Sequence, residues 1–390
     1  MTRKRSKIRV GVLFGGQSGE HEVSLASARS VIEALEASGQ YEVVPIGITR
    51  SGRWVLHPDA LAMLSSRAEI RLGIAAPETE SGPSALPDQP TALVPDGERS
   101  SLVPLAGGVP ERLDVVFPVL HGPKGEDGTV QGFLELAGIP YVGCGVASSA
   151  VAMDKDMMKR LFRSAGLLVP DWVLIRRTRW EREREGVLNN AEKVGYPCFV
   201  KPANLGSSVG IGKAKNRAEL ERAIEEAGRY DTRILIEEAI DAREIEVSVL
   251  GNDDPEASVP GEIIPCNEFY DYNAKYIDAE SELIIPAPLS PEKTEEVRDS
   301  AVRAFRALDC AGMARVDFLL DRKNERFFLS EVNTIPGFTS ISMYAKLWEA
   351  SGLSYGALID RLIELAVERH EERKTLRTSY RPPARENGEE

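Results

Sequence analysis

Of 390 residues only four are cysteine and four are histidine. Cys144, Cys198, Cys266 and Cys310 are widely scattered and none forms a C-x-x-C pair. That spacing argues against a disulfide framework or a cysteine zinc site and predicts buried, inert thiols. No apolar run reaches the ~20 residues that span a bilayer. The opening "MTRKRSKIRVGVLF" is basic but lacks an h-region and a small-residue cleavage site, so a cytoplasmic protein without membrane association is expected. A net charge of −13 argues against nucleic acid as a partner. With 42% hydrophobic and 28% charged residues, the chain has the composition of a globular protein of two or three domains.

The two familiar phosphate-loop patterns are also missing. "KPANLGSSVGIGK", Lys201 to Lys213, has the glycines, serines and lysines for such a loop. Yet Gly206 to Gly212 is one residue too long for G-x-x-x-x-G-K-[ST], and Ala214 stands where a Ser or Thr should follow Lys213. Lys215 takes the place of the last glycine of G-x-G-x-x-G.

What is there reads first as an open α/β sheet. "IRVGVLFGG" (Ile8 to Gly16) is a buried strand pattern, and Leu25, Ala28, Ile32 and Leu35 recur at helical spacing before Gly39. Tyr41 to Ile48 is a second strand, completing a βαβ unit, and Asp114 to Leu120 resumes the sheet. Between them, residues 57–112 are rich in Pro, Ser, Gly and acids and predict an insertion that is mostly loop. Helices are expected over 129–138 and from Ser148 to Ala165. Strands are expected at Cys198–Pro202, Arg233–Glu238, Glu244–Gly251 and Ala257–Pro265. The helix Pro291–Leu308 then leads into a hairpin, "MARVDFLLD" and "RFFLSEVN". Two amphipathic helices follow. The charged, proline-bearing stretch after His370 predicts a disordered tail.

Side chains alternate across a strand, so Arg315 and Asp317 share one face of the hairpin, as do Glu331 and Asn333. Asp317, Glu331 and Asn333 offer oxygen ligands, which suit magnesium better than zinc. A structural arginine–carboxylate pair is the alternative for the same residues. In the opening loop, Gly206, Ser207, Ser208 and Gly210 can turn backbone N–H groups toward an anion. Lys201 ends the preceding strand, and Lys155 lies in "VAMDKDMMKR"; both can neutralise phosphates.

A lysine-tipped strand, a glycine-serine loop and a later hairpin bearing D…E-x-N resemble the ATP-grasp superfamily. More closely, the chain resembles the D-alanine:D-alanine ligase family. The matching segments are "GGQSGEHEVSLASA" (Gly15 to Ala28), "LHGPKGEDGTVQGFLELAGIPYVG" (Leu120 to Gly143), "MDK" (Met153 to Lys155), "KPANLGSSVG" (Lys201 to Gly210), "EFYDYNAKY" (Glu268 to Tyr276), "ARVDF" (Ala314 to Phe318) and "EVNTIPGFTS" (Glu331 to Ser340). They come in the family's order from residue 8 to about 368. The resemblance implies a mixed α/β and α+β architecture, an ATP-grasp fold behind an N-terminal open parallel α/β (pre-ATP-grasp) domain. Its expected divisions are 1–143, a central subdomain 144–237, a C-terminal subdomain 238–370 and the tail 371–390.

The implied reaction joins two D-alanine molecules through a D-alanyl phosphate, with ATP as co-substrate, and supplies peptidoglycan synthesis. Magnesium, or manganese in its place, is the implied cofactor, held by Asp317, Glu331 and Asn333. The ATP-binding set carried over is Lys155, Lys201, Ser207, Ser208, Glu237, Glu238, Ile240, Glu244, Phe269 and Lys275. Ala239 stands where some relatives carry a large aromatic, which puts adenine packing there in doubt. Glu20 is the implied anchor for the first D-alanine's ammonium group, beside His121. Arg315 and the N–H of Gly337 are the implied oxyanion hole. Ser342 and Met343 match the site of the second substrate's carboxylate. Tyr276 is implied to link with Ser207 and Glu20 as the site closes, and it favours dipeptide over the D-lactate ester. A homodimer is expected by resemblance. Ligases for D-lactate or D-serine are the competing reading. A dinucleotide oxidoreductase fails on "GGQSGE", and a non-catalytic relative fails on the intact Lys201, Arg315, Asp317, Glu331 and Asn333.

Overall fold

The computed structural model describes residues 7–71, 91–94, 101–104, 111–206, 209–264 and 282–377. Strands β1 (Ile8–Gly15) and β2 (Tyr41–Ile48) pair in parallel around the helix α1 (His21–Ser38). Leu25, Ala28, Val31 and Leu35 of α1 are buried, and Ile32 packs against the same core. Gly39 closes the helix at φ 68, a left-handed value that glycine adopts without a Cβ penalty. The strand β3 (Trp54–Leu56) runs antiparallel to β2, so the expected parallel sheet has a mixed edge. A tight turn at Thr49–Arg53 makes that reversal, with Gly52 at φ 85.

The region 57–112 includes regular structure among its described residues. It carries α2 (Ala60–Arg71) and the antiparallel strands β4 (Thr91–Val94), β5 (Ser101–Pro104) and β6 (Glu111–Arg112). Ala60 and Leu64 bury into the first core, and apolar contact of this kind outweighs a weak local signal. Then β7 (Val115–Pro118) returns beside β1 in parallel, giving the order β3-β2-β1-β7, and α3 (Thr129–Ala137) follows.

The expected helix over Ser148–Ala165 is two helices, α4 (Val146–Met153) and α5 (Lys155–Ser164). Asp154 breaks it. Its backbone is extended and its side chain accepts from the N–H groups of Asp156 and Met157, an N-cap worth about 1 kcal/mol. Arg233 clamps the break by pairing with Asp154 and with Asp156 at 2.9 Å. After β8 (Trp172–Arg176), the short helices α6 (Arg177–Arg182) and α7 (Arg184–Ala191) lead to β9 (Cys198–Pro202), β10 (Gly212–Ala214), α8 (Arg217–Ala227) and β11 (Arg233–Glu238). These strands form an antiparallel sheet in the order β10-β9-β11-β8. Cys198, Val200, Ala214, Ile234 and Ile236 form its core face, backed by Leu220 and Ile224 of α8.

The third sheet is built on β12 (Ala242–Gly251). The strand expected over Ala257–Pro265 is broken into β13 (Glu256–Ala257) and β14 (Gly261–Ile264), and Pro260, with no N–H to give a ladder, lies between them. Next come β15 (Glu282–Ile284), α9 (Pro291–Ala307) and the hairpin β16 (Gly312–Asp321) and β17 (Phe327–Asn333). The path of this sheet is β15-β14-β12-β16-β17, with β13 on β12. Two helices close the chain, α10 (Met343–Ala350) and α11 (Tyr355–Lys374). The last runs past His370, so the charged stretch begins as helix. Leu358, Leu362 and Ile363 of α11 share one core with Val10, Val12 and Phe14 of β1, which ties the end of the chain to its beginning. No described helix is long and apolar enough to cross a membrane. Cys144, Cys198 and Cys310 are buried free thiols, as expected; Cys266 lies outside the described residues.

Candidate active site

The hairpin holds its polar residues as strand alternation requires. Val316, Phe318 and Leu320 are buried, while Arg315 and Asp317 face the other side. Across the ladder Arg315 is partnered by Asn333 and Asp317 by Glu331, with a register shift after Asp317. The Arg315 guanidinium donates to both oxygens of Asp317, at 2.8 and 2.7 Å, and lies 2.9 Å from Glu246 of β12. Burial works against its charge, but Asp317 and Glu246 outweigh burial and hold its pKa well above the usual value. Asn333 donates to Asp317 at 2.9 Å.

Among the described residues no three His, Cys, Asp or Glu side chains stand together as a metal trio. The hairpin offers two carboxylates and an amide, whose oxygen is presented once the amide is turned over. This hard donor set fits magnesium. A cation there would compete with Arg315 for Asp317.

The second sheet turns Phe199, Lys201, Lys213, Leu235, Glu237 and Trp172 away from its core, as register and alternation dictate. Glu237, 2% exposed, is held from both sides: Lys201 Nζ lies 2.6 Å from Oε1 and Lys159 Nζ 2.5 Å from Oε2. Burial would raise the Glu237 pKa, but the two ammonium groups bring it down to about 2. The two lysines shift oppositely. Burial wins at Lys159 and lowers its pKa, whereas at Lys201, also opposed by burial, the carboxylates win and raise it. Two cations within ion-pair distance fix the direction for Glu237.

Lys155 follows the cap at Asp154. Its N–H donates to Ala203, its ammonium to the Leu205 carbonyl at 2.7 Å, and Glu331 lies 3.9 Å away. Lys155 thereby spans from the glycine loop to the hairpin. Glu244 is half-buried and acts electrostatically on Lys201. Glu238 exchanges hydrogen bonds with Asp171, and half-buried Ile240 sits in the link to β12. Ser207, Ser208, Phe269, Lys275 and Tyr276 lie outside the described residues.

On the N-terminal side, buried Glu20 stands between two glycines. A Cβ on Gly122, at φ 76, would come within 2.5 Å of its Oε2, and one on Gly206 within 3.3 Å. Buried His121 bonds the Ile335 carbonyl through Nδ1 at 2.9 Å and Ser27 through Nε2 at 3.0 Å; burial lowers its pKa. Ser27 accepts from the Phe338 N–H at 3.2 Å, the residue after Gly337. Glu126 accepts from Gly122 at 2.7 Å and from Ile335 at 3.2 Å; burial and the charge of Glu20 push its pKa up to about 8. Gly337 lies against Ser342, whose hydroxyl meets Thr339 at 2.7 Å and whose backbone precedes Met343 at the start of α10.

The N-terminal α/β unit and the loop after β17 thus meet through Ser27, His121 and Glu126. The sequence reading missed Ser27, Glu126, Lys159, Phe199 and Glu246. Phe199 and Lys159 were within reach, two residues before Lys201 and four after Lys155.

An α/β domain followed by two antiparallel sheets, one tipped with lysines and one with carboxylates, defines an ATP-grasp enzyme. Known proteins narrow this. The D-ala D-ala ligase N-terminus model matches residues 9–144, and the C-terminus model matches 161–364. The D-alanine–D-alanine ligase of Thermoanaerobacter sp. (strain X514) is 54% identical, covering 94% of this chain and 98% of the relative. The solved D-alanine-D-alanine ligase of Coxiella burnetii superposes with TM-score 0.79 at 38% identity, covering 95% of this chain and 96% of that one. The VanG D-Ala:D-Ser ligase of Enterococcus faecalis gives TM-score 0.78 at 36% identity, covering 93% of this chain and 100% of that one. The chain belongs to the D-alanine–D-alanine ligase family.

Proposed function

We propose that this protein ligates two D-alanine molecules at the expense of ATP, giving D-alanyl-D-alanine, ADP and phosphate for peptidoglycan precursor synthesis in the cytoplasm. The observation that carries the reading is that buried Glu20, suited to an ammonium group, lies close enough to His121 to act on its charge, and that His121 and Ser27 are bonded to the 334–342 loop. That loop continues directly from Asn333, the ladder partner of Arg315, whose guanidinium suits an oxyanion.

A carboxylate is a poor electrophile, so it must first take a phosphoryl group. Glu20 would hold the first D-alanine by its ammonium group, with His121 beside it. Lys155 and Lys201 would hold ATP phosphates, joined by Lys275 and by the loop at Ser207 and Ser208. Glu237, Glu238, Ile240, Glu244 and Phe269 would seat the adenosine, and Phe199 offers an aromatic face where Ala239 offers none. Magnesium bound to Asp317, Glu331 and Asn333 would supply charge neutralisation for phosphoryl transfer. The second D-alanine, its carboxylate at Ser342 and Met343, attacks the acyl carbon with its amine. Arg315 and the Gly337 N–H would receive the developing oxyanion, and phosphate departs. Tyr276, with Ser207, would close the site against water, which would otherwise consume the acyl phosphate.

The division near residues 143, 237 and 370 belongs to this reading. So does a homodimer, for which exposed Leu136 (82%) and half-exposed Phe133 on α3, with Val146 nearby, offer an apolar face. Relatives of 48 to 54% identity bear the D-alanine–D-alanine ligase name, which favours D-alanine over D-lactate or D-serine as acceptor. Phosphate release with Mg-ATP and D-alanine, D-lactate or D-serine, with products weighed by mass spectrometry, tests it. Dipeptide from D-alanine in preference to the other products is expected. A preferred ester or D-serine product refutes the acceptor.

A further inference from the structure

We infer that Lys159 is a positioning residue of the nucleotide site, acting through Glu237 to leave Lys201 a surplus positive charge. The inference rests on the ATP reading above. Lys159 lies one helical turn beyond Lys155 on α5, so both ammonium groups leave the same face of the helix. Lys155 reaches the Leu205 carbonyl, while Lys159 reaches Glu237. Its side chain is 1% exposed and sits 5.7 Å over the Trp172 ring, which Arg163 covers at 4.4 Å. Asp156 fixes that ring by accepting from its Nε1 at 2.9 Å. Lys159 is therefore sealed away from solvent.

A buried lysine is costly, and its one ion-pair partner among the described residues is a carboxylate already paired with Lys201. The cost has a consequence for charge. Lys201 and Glu237 alone make a neutral pair, with the ammonium drawn onto the carboxylate and little left for a phosphate. Adding Lys159 makes the trio net positive, which offsets part of the negative charge that Glu331 and Glu244 also bring to bear on Lys201. Because Lys159 and Glu237 are buried, the surplus is expressed at Lys201, the most exposed of the three side chains at 16%. Glu237 becomes a rigid spacer that aims Lys201 without neutralising it.

The test uses the full-length protein, with Mg-ATP binding measured by calorimetry and KM for ATP and for D-alanine by phosphate release. Lys159→Met should weaken Mg-ATP binding and raise KM for ATP by about tenfold or more, leaving KM for D-alanine within about twofold. Adding Glu237→Gln removes the negative charge as well and returns the trio to net positive. The double variant should bind Mg-ATP more tightly than Lys159→Met alone. A lysine with only a structural role predicts a lower melting temperature with unchanged nucleotide affinity, or a double variant no better than the single one; either overturns the inference. A wild-type protein that binds no Mg-ATP overturns the nucleotide reading and the inference with it. Wild-type binding matched by Lys159→Met overturns the inference alone.

Discussion

Replacing Glu237 by Gln tests how the nucleotide sheet is held together. The carboxylate is buried between two ammonium groups at 2.5 and 2.6 Å, and its pKa falls from 4.5 to about 2. By linkage, that drop corresponds to about 3 kcal/mol of stability at neutral pH. Breaking a buried ion pair from one side costs about 3–5 kcal/mol, so the two routes agree. The sign is fixed. A lowered carboxylate pKa contributes fully above the unfolded value and is lost as pH falls through the folded one, here from 4.5 toward 2. In a cooperative unit of ~200 residues this should lower the melting temperature by about 6–12 °C, read by scanning calorimetry at neutral pH. The gap between wild type and variant should then narrow as pH falls below 4.5. Equal melting temperatures at neutral pH, or a gap that widens on acidification, would refute the ion-pair account.

Four further outcomes are expected. Asp317→Ala should abolish magnesium-dependent turnover while circular dichroism stays native; retained turnover removes Asp317 from the metal set. Ser27→Ala leaves the buried Phe338 N–H without its acceptor and should cost about 1–3 kcal/mol in thermal unfolding and raise KM for D-alanine. Gly122→Ala forces a Cβ to within 2.5 Å of the Glu20 carboxylate at φ 76, and KM for the first D-alanine should rise by about tenfold. An unchanged KM would mean that Glu20 does not bind substrate. Tyr276→Phe should move product toward the D-lactate ester when both acceptors are offered, and an unchanged ratio excludes Tyr276 from acceptor choice.

Local signals carried much of the architecture. The hairpin was legible because Arg315, Asp317, Glu331 and Asn333 break an apolar alternation at two-residue spacing, and that spacing fixes their face. The βαβ start was legible from the helical recurrence of Leu25, Ala28 and Leu35. What stayed hidden depends on partners distant in sequence. Asp154 reads as an ordinary helical residue until Arg233 is brought beside it. Lys159 reads as a surface lysine until Glu237 and Trp172 cover it. Ser27 and Glu126 gain meaning only when the 334–342 loop folds back onto the N-terminal α/β unit. The helix at Ala60–Arg71 was masked by the Pro- and Ser-rich stretch that follows it, because composition averages over a window while burial of Ala60 and Leu64 acts at single positions.

The central claim is that the first D-alanine's carboxylate is activated by phosphorylation before the peptide bond forms. The most direct measurement uses D-alanine labelled with oxygen-18 in its carboxylate, Mg-ATP and mass analysis of the released phosphate. The acyl phosphate route transfers one carboxylate oxygen to phosphorus and breaks the acyl carbon–oxygen bond, so each dipeptide formed should release a phosphate carrying one heavy oxygen. Dipeptide accompanied by unlabelled phosphate would contradict the account.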